Sequence, residues 1–192
     1  MMNELLVLSL LLHWPLHAYK LAKIANNIIG PEEEISRGTL SSLLTRLEQA
    51  GLIAPADMGT LSLPLDRPSR VLEITPQGRE RFSELMMDTT SHMGPYSKLF
   101  HVKALNLECL PLVEQLVLAE HYLAYCQQRL HAKQAQAQAF ADSLIKQEQL
   151  PASFRQAAVD LMHYKIAQWQ SELAWAQSLR EQVASRLRQQ HV

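Results

Sequence analysis

Along the first half of the chain the apolar positions change their period at each breaker residue, and each segment predicts its own element. From Asn3 to His13 the run is mostly apolar and reads as a helix stopped by Pro15. Leu16 to Ile28 predicts a second helix, with Leu21, Ile24 and Ile28 on one face, before Gly30-Pro31 interrupts the pattern. Ser36 is a suitable cap for a third helix, which carries Leu40, Leu43, Leu44 and Leu47 as one stripe and runs to about Ala50, ahead of Gly51. "LIAPADM" and "RVLEIT" then read as two short strands flanking the Gly- and Pro-containing "GTLSLPLDRP", a hairpin loop. Thr75 caps a further helix with Pro76 at its first position and Phe82, Leu85 and Met86 on its apolar side. Three helices, a two-stranded hairpin and another helix is the order of a winged helix-turn-helix.

The segment from Thr89 to Ser97 marks a boundary, giving residues 1–90 and 91–192 as two domains. Beyond it the periodicity is wholly helical. Leu112, Leu116, Ala119, Leu123, Cys126 and Leu130 recur at steps of three and four, the spacing of a helix-packing seam. After a turn at Pro151, a second seam follows: Val159, Met162, Ile166, Trp169, Leu173, Ala176, Val183 and Leu187, broken by Arg180. Two long amphipathic helices joined by a turn predict an antiparallel hairpin. The expected fold is therefore mostly α, a winged helix-turn-helix followed by an antiparallel helical domain.

The polar side of the third helix changes the picture from architecture to function. Opposite the leucine stripe lie Gly38, Ser42, Thr45 and Gln49, flanked by Ser41 and Arg46, and a carboxylate appears only at Glu48, to one side. A helix that lies in a DNA major groove needs short side chains, donors for base edges and phosphates, and no acid in the contact zone. A solvated helix that happens to be rich in Ser and Thr would look the same in isolation. The hairpin adds a second sign, because Arg67 and Arg70 bracket Pro68-Ser69 where the loop rejoins its return strand, suited to phosphate or minor-groove contact.

Bulk charge does not help this reading. The 192 residues carry a formal net charge of −1, and residues 1–90 hold eight Lys and Arg against eleven Asp and Glu, a formal −3. A DNA site must then rest on where the cations sit. Hydrophobic residues at 47% and charged residues at 19% describe a globular chain. The apolar run Leu5–Leu12 is too short to span a bilayer and follows Glu4, so the expectation is a soluble cytoplasmic protein. Cys109 and Cys126 lie in apolar helical context and are expected to be buried free thiols.

Eight histidines raise the question of a metal or catalytic site. His121 and Cys126 do not share a helix face, Pro15 separates His13 from His17, and there is no Cys-x-x-Cys, His-Glu-x-x-His or glycine-rich phosphate loop. No cofactor, metal or enzymatic activity is expected. Tyr96, Phe100, Tyr122, Trp169 and Trp175 could wall a pocket for a planar effector, or serve as core and interface packing. Two other functions share the composition: a helical protein-interaction module, and a small-molecule-binding protein without DNA binding.

"LLVLSLLLHWPLHAYKLAK", "GTLSSLLTRLEQAGLI" and "SRVLEITPQGRERF" resemble the PadR family of bacterial transcriptional regulators over residues 3–90. The family's Gly-Pro-x-His-Gly-Tyr-x-Leu is matched by Trp14 to Leu21, its Gly-Thr-Leu-Tyr by Gly38 to Ser41, and its Leu-Thr-x-x-Gly by Ile74 to Gly78. Trp14, Ala18, Ser41 and Asp66 depart from that pattern. The second half resembles the long helical domain of the larger PadR-like regulators, related to virulence-gene activators.

The resemblance implies a homodimer in which the helical hairpin, with the first helix, packs against its mate. Leu112, Leu116, Leu123, Leu130, Met162, Ile166, Trp169, Leu173, Val183 and Leu187 would form the dimer contacts. Ser41, Ser42, Thr45 and Arg46 would face the major groove of a pseudo-palindromic operator. Tyr19, Arg37 and Thr39 would approach phosphates, and Arg67, Ser69 and Arg70 would supply the wing. Some family members release DNA when a small effector such as a phenolic acid binds, so a small aromatic effector is a further expected partner.

Overall fold

The computed structural model describes residues 1–30, 34–56, 70–90, 96–145 and 151–190. They form two compact units, Met1–Leu107 and Glu108–Val192. The limit at Leu107 lies beyond residue 90 because the helix Tyr96–Ala104 packs with the first unit.

The first unit is built around α1 (Met2–His13), whose residues Leu5 to Leu11 are all buried. A helix that is apolar all round must be enclosed. Here α2 (Ala18–Ile29), β3 (Val71–Ile74), α4 (Pro76–Met87) and α5 (Tyr96–Ala104) enclose it. Each buried leucine contributes on the order of 1.5–3 kcal/mol. The one polar residue in this run, Ser9, donates its hydroxyl to the Leu6 carbonyl at 2.9 Å and so leaves no unpaired group in the core. The middle of the first helix therefore has its apolar surface taken up by its own domain, while residues 1–4 at its start are half-buried.

Trp14 is extended ahead of Pro15, and Leu16–His17 form a short strand, β1, where the sequence predicted the start of the second helix. β1 pairs antiparallel with β3 through Leu16↔Leu72 and His17↔Val71. β2 (Ile53–Pro55) pairs with the other edge of β3, giving an antiparallel sheet of order β1-β3-β2. On α2 the buried residues are Leu21 and Ala25, whereas Ile28, expected on the inner face, is exposed as the helix runs out at Gly30. The wing ladder β2–β3 and α3 (Arg37–Gln49) complete a winged helix-turn-helix.

The second unit is an antiparallel hairpin of α6 (Leu112–Ile145) and α7 (Ala152–Gln190). Cross-helix contacts run in descending order along α7. Arg186 donates to Gln115 (3.1 Å), Arg180 pairs with Glu120 (3.0 Å), the Tyr122 hydroxyl donates to Glu172, and Tyr125 meets Trp169 edge-on. Arg180, which interrupts the apolar seam in sequence, is thus the partner of an acid on the opposite helix. Burial beside Glu172 pushes the Tyr122 phenol well above its usual range, and burial pushes the Cys126 thiol up to about 11. Cys109 is exposed instead of buried, because it ends a short 3-10 turn (Leu107–Cys109) and not a seam-bearing helix. Both cysteines are free.

Candidate nucleic-acid interface

The placement of α3 is fixed at both ends by local chemistry. Ser36 accepts the Thr39 amide at 3.1 Å and shares a 2.9 Å hydroxyl contact with Thr39, so the helix starts where the sequence places its cap. Ile35 and Leu40, both buried, occupy the positions of a hydrophobic staple. Asn26 of α2 holds that entry point. Its side chain accepts the Ile35 amide (2.9 Å) and donates to the Ile35 carbonyl (3.2 Å), replacing a strand-like backbone pair.

At the other end Gly51 has φ +70°, the Leu52 amide reaches the Leu47 carbonyl and the Gly51 amide reaches the Glu48 carbonyl, both at 2.9 Å. This is a Schellman stop, for which a left-handed glycine is suited. α4 is tied to the same point. Thr75 caps α4 by accepting the Gly78 amide (3.0 Å), and its hydroxyl donates to the Gly51 carbonyl (2.7 Å) while its amide donates to the Leu52 carbonyl (3.1 Å). A Cβ at Gly78 would lie 2.0 Å from the Leu52 carbonyl oxygen. The Ile-Thr-Pro-Gln-Gly segment is therefore a lock between the helix carrying the polar face and the helix behind it.

With Leu40, Leu43, Leu44 and Leu47 buried, α3 turns Arg37, Gly38, Thr39, Ser41, Ser42, Thr45 and Arg46 to the surface, all exposed. It stands as a ridge between two grooves. One, about 730 Å³, runs between α2 and α3 to β3 and includes Tyr19, Lys23, Arg37, Ser41, Thr45, Glu48 and Arg70 in its walls. The other, about 740 Å³, lies between α3 and the start of α1, with Gly38, Thr39, Ser42 and Arg46 on the α3 side. The proposed contacts thus divide between the two flanks of one helix. Thr45 donates to the Ser41 carbonyl at 3.1 Å, which leaves its oxygen facing outward as an acceptor.

Tyr19 is 74% exposed at the start of α2, an unusual position for an aromatic ring with no core to fill. Gly38 has ordinary negative φ, and a Cβ there would meet only the Ser36 hydroxyl at 3.9 Å. Nothing inside the domain requires a glycine at that point, where alanine would be the better helix former. Arg70 pairs with Glu48 at 3.0 Å. Arg67 and Ser69 lie outside the described residues. Sequence reasoning placed the exposed face but missed Asn26, Lys23 and the Glu48–Arg70 pair, which depend on contacts between separate segments.

On the hairpin, Leu112, Leu116, Leu123, Leu130, Met162, Ile166, Trp169, Leu173 and Leu187 are half-buried by the chain itself, and Val183 is completely buried. The exposed apolar side chains are others: Val113 and Val117 on α6, and Phe154, Leu161, Tyr164 and Trp175 on α7. Of the aromatic residues weighed for an effector pocket, Tyr96, Phe100 and Tyr122 are buried packing residues. Arg129 lies over the rings of Tyr125 and Trp169, at 5.9 and 5.6 Å. Among the described residues no group of His, Cys, Asp and Glu could hold a metal ion, and no helix is long and apolar enough to cross a membrane.

Residues 7–84 match the family described as the transcriptional regulator PadR-like family. No curated protein matches the chain. Among solved structures, it is similar to Bacillus subtilis PadR in complex with operator DNA, at 14% identity over 95% of this chain and 99% of that one, with a TM-score of 0.43. The same protein in complex with p-coumaric acid gives 14% identity, 96% and 99% coverage and a TM-score of 0.41. The Vibrio cholerae virulence activator AphA gives 14%, 95%, 99% and 0.38.

Proposed function

We propose that this chain is a homodimeric DNA-binding repressor of the PadR-like family of transcriptional regulators, whose pattern residues 7–84 match. The family is one of regulators and not of enzymes. The observation that carries the reading is the outer face of α3: a helix locked at both ends that presents glycine, serine, threonine and arginine outward, with its one acid set to the side. In this reading residues 1–90 bind DNA and residues 91–192 dimerise. Ser41, Ser42, Thr45 and Arg46 enter the major groove, and Tyr19, Arg37, Thr39 and the wing around Arg67 and Ser69 approach the backbone.

The second copy seats on the exposed apolar positions of the hairpin. Phe154 and Leu161, each at least half exposed, lie seven residues apart on α7, the spacing of a helix-packing seam, and Trp175, which meets Tyr122 edge-on, continues that period while still partly exposed. Val183 is committed to its own hairpin and takes no part. Two recognition helices then reach successive major grooves about 34 Å apart. Release by a small phenolic-like effector belongs to this reading through the family alone.

The test is selection of bound duplexes from a random pool by the full-length protein at near-physiological salt. A two-fold-symmetric site, bound more weakly as salt rises, supports a dimeric reader. No enrichment by a folded dimer overturns DNA binding and favours a protein-interaction module. Adding p-coumaric acid to the selected complex tests effector release directly.

A further inference from the structure

Glu48 is the one acidic residue of α3 and sits on its last turn, where a carboxylate would meet the phosphates of a bound duplex. It does not stand alone. Arg70, where the wing rejoins β3, places Nη2 3.0 Å from Glu48 Oε1. The carboxylate side chain is 21% exposed and the guanidinium 58%, so the acid lies against the wall of the groove and the cation covers its outer side. Tyr19, Lys23, Arg37 and Thr45 line the same groove, and its other acid, Glu34, accepts a hydrogen bond from Asn26 at 3.2 Å. An ion pair this exposed adds little to folding. Its effect falls on the surface charge of the reading face, where it cancels the only anion that α3 carries.

Resting on the DNA-binding reading above, we infer that Arg70 is a positioning residue that acts through Glu48, neutralising that carboxylate at the groove wall instead of serving as a separate phosphate ligand. The two side chains then offset each other. With both present the duplex meets a neutral pair, and removing the charge of Glu48 alone leaves the Arg70 cation beside the phosphates and strengthens binding. With Arg70 absent, Glu48 faces the phosphates uncompensated, and its removal restores what was lost.

The experiment is a double-mutant cycle on affinity for the duplex selected by the parent protein, using Glu48→Gln, Arg70→Ala and both together. Melting temperatures control for folding, and Arg70→Gln serves as a second variant should Arg70→Ala not fold. The expected result is a loss of about tenfold for Arg70→Ala. Glu48→Gln alone should tighten binding, and in the Arg70→Ala background it should return affinity to within about twofold of the parent. A double variant that binds as weakly as Arg70→Ala would overturn the offset and return Arg70 to a direct phosphate contact. A parent protein that selects no duplex would instead defeat the DNA-binding reading itself.

Discussion

α1 and α7 are both helices with many apolar residues, yet they treat them in opposite ways. α1 has 12 residues and buries seven in succession, whereas α7 has 39 and buries only Ala176, Val183 and Ala184. The first is surrounded on all sides by elements of its own domain. The second has one long partner, α6, and a two-helix hairpin can cover only one side of each helix. Side chains such as Phe154 and Leu161, each at least half exposed, are what remains. Hydrophobic content along a helix therefore says how much surface must be covered, and the number of neighbours says whether its own chain can cover it.

The comparison breaks most sharply at the centre of α1. Leu8→Ala should lower the stability of the first unit by about 2–5 kcal/mol, because the cavity is enclosed and cannot collapse. Leu161→Ala on α7 should leave folding nearly unchanged while shifting association, as read by urea unfolding and by sedimentation of the same samples. Similar unfolding penalties at the two positions would remove the contrast.

Gly78→Ala should cost about 3 kcal/mol in thermal unfolding, since the added Cβ meets a backbone carbonyl that is itself held by Thr75. A variant as stable as the parent would mean that the α3–α4 junction yields.

Lys103 on α5 sharpens the point for charge. It is completely buried, donates to the Asp88 carbonyl at 2.6 Å, and burial pulls its ammonium down to about 8, against which Asp88 acts weakly. The folded state thus releases the proton before the unfolded chain does, so stability should rise as pH climbs from about 8 toward the unfolded value near 10.5. The rise amounts to at most about 3 kcal/mol. Lys103→Met should flatten that slope in pH-dependent denaturation, and an unchanged slope would assign it to another group.

A small folding effect of opposite sign is expected at Gly38. Gly38→Ala should stabilise α3 by about 0.5–1 kcal/mol and at the same time weaken binding to the selected duplex, because the methyl group stands on the outer face. Gains in both would mean that no partner approaches the helix there.

What was legible in the sequence follows from the range of the interactions. Ser36, Gly51 and Thr75-Pro76 act on amides within a few residues of themselves, so the helix boundaries they set could be read directly. The leucine stripe of α3 gave its exposed face by subtraction. β1 could not be read, because two residues become a strand only when β3 lies beside them. Asn26 gave no sign of holding Ile35 nine positions away, and Arg70 looked like a free cation until Glu48 was beside it. Cys109 was misplaced because an apolar neighbourhood in sequence did not form a helix in space. The apolar seams were recognised as seams, but periodicity alone does not say whether a seam meets its own hairpin or another molecule.

Leu52 links these elements in a way that bears on association itself. Its amide closes α3, its carbonyl receives Thr75, and the absence of a side chain at Gly78 lets α4 press against it. The outer face of α3 consequently arrives at an encounter already in its working shape. Ordering a flexible reading segment at the moment of contact would add about 1–2 kcal/mol for each residue whose backbone is fixed, besides the cost of its side chains. Here the backbone share of that entropy is lost once, during folding, so complex formation becomes a meeting of two prepared surfaces whose speed depends on collision and charge.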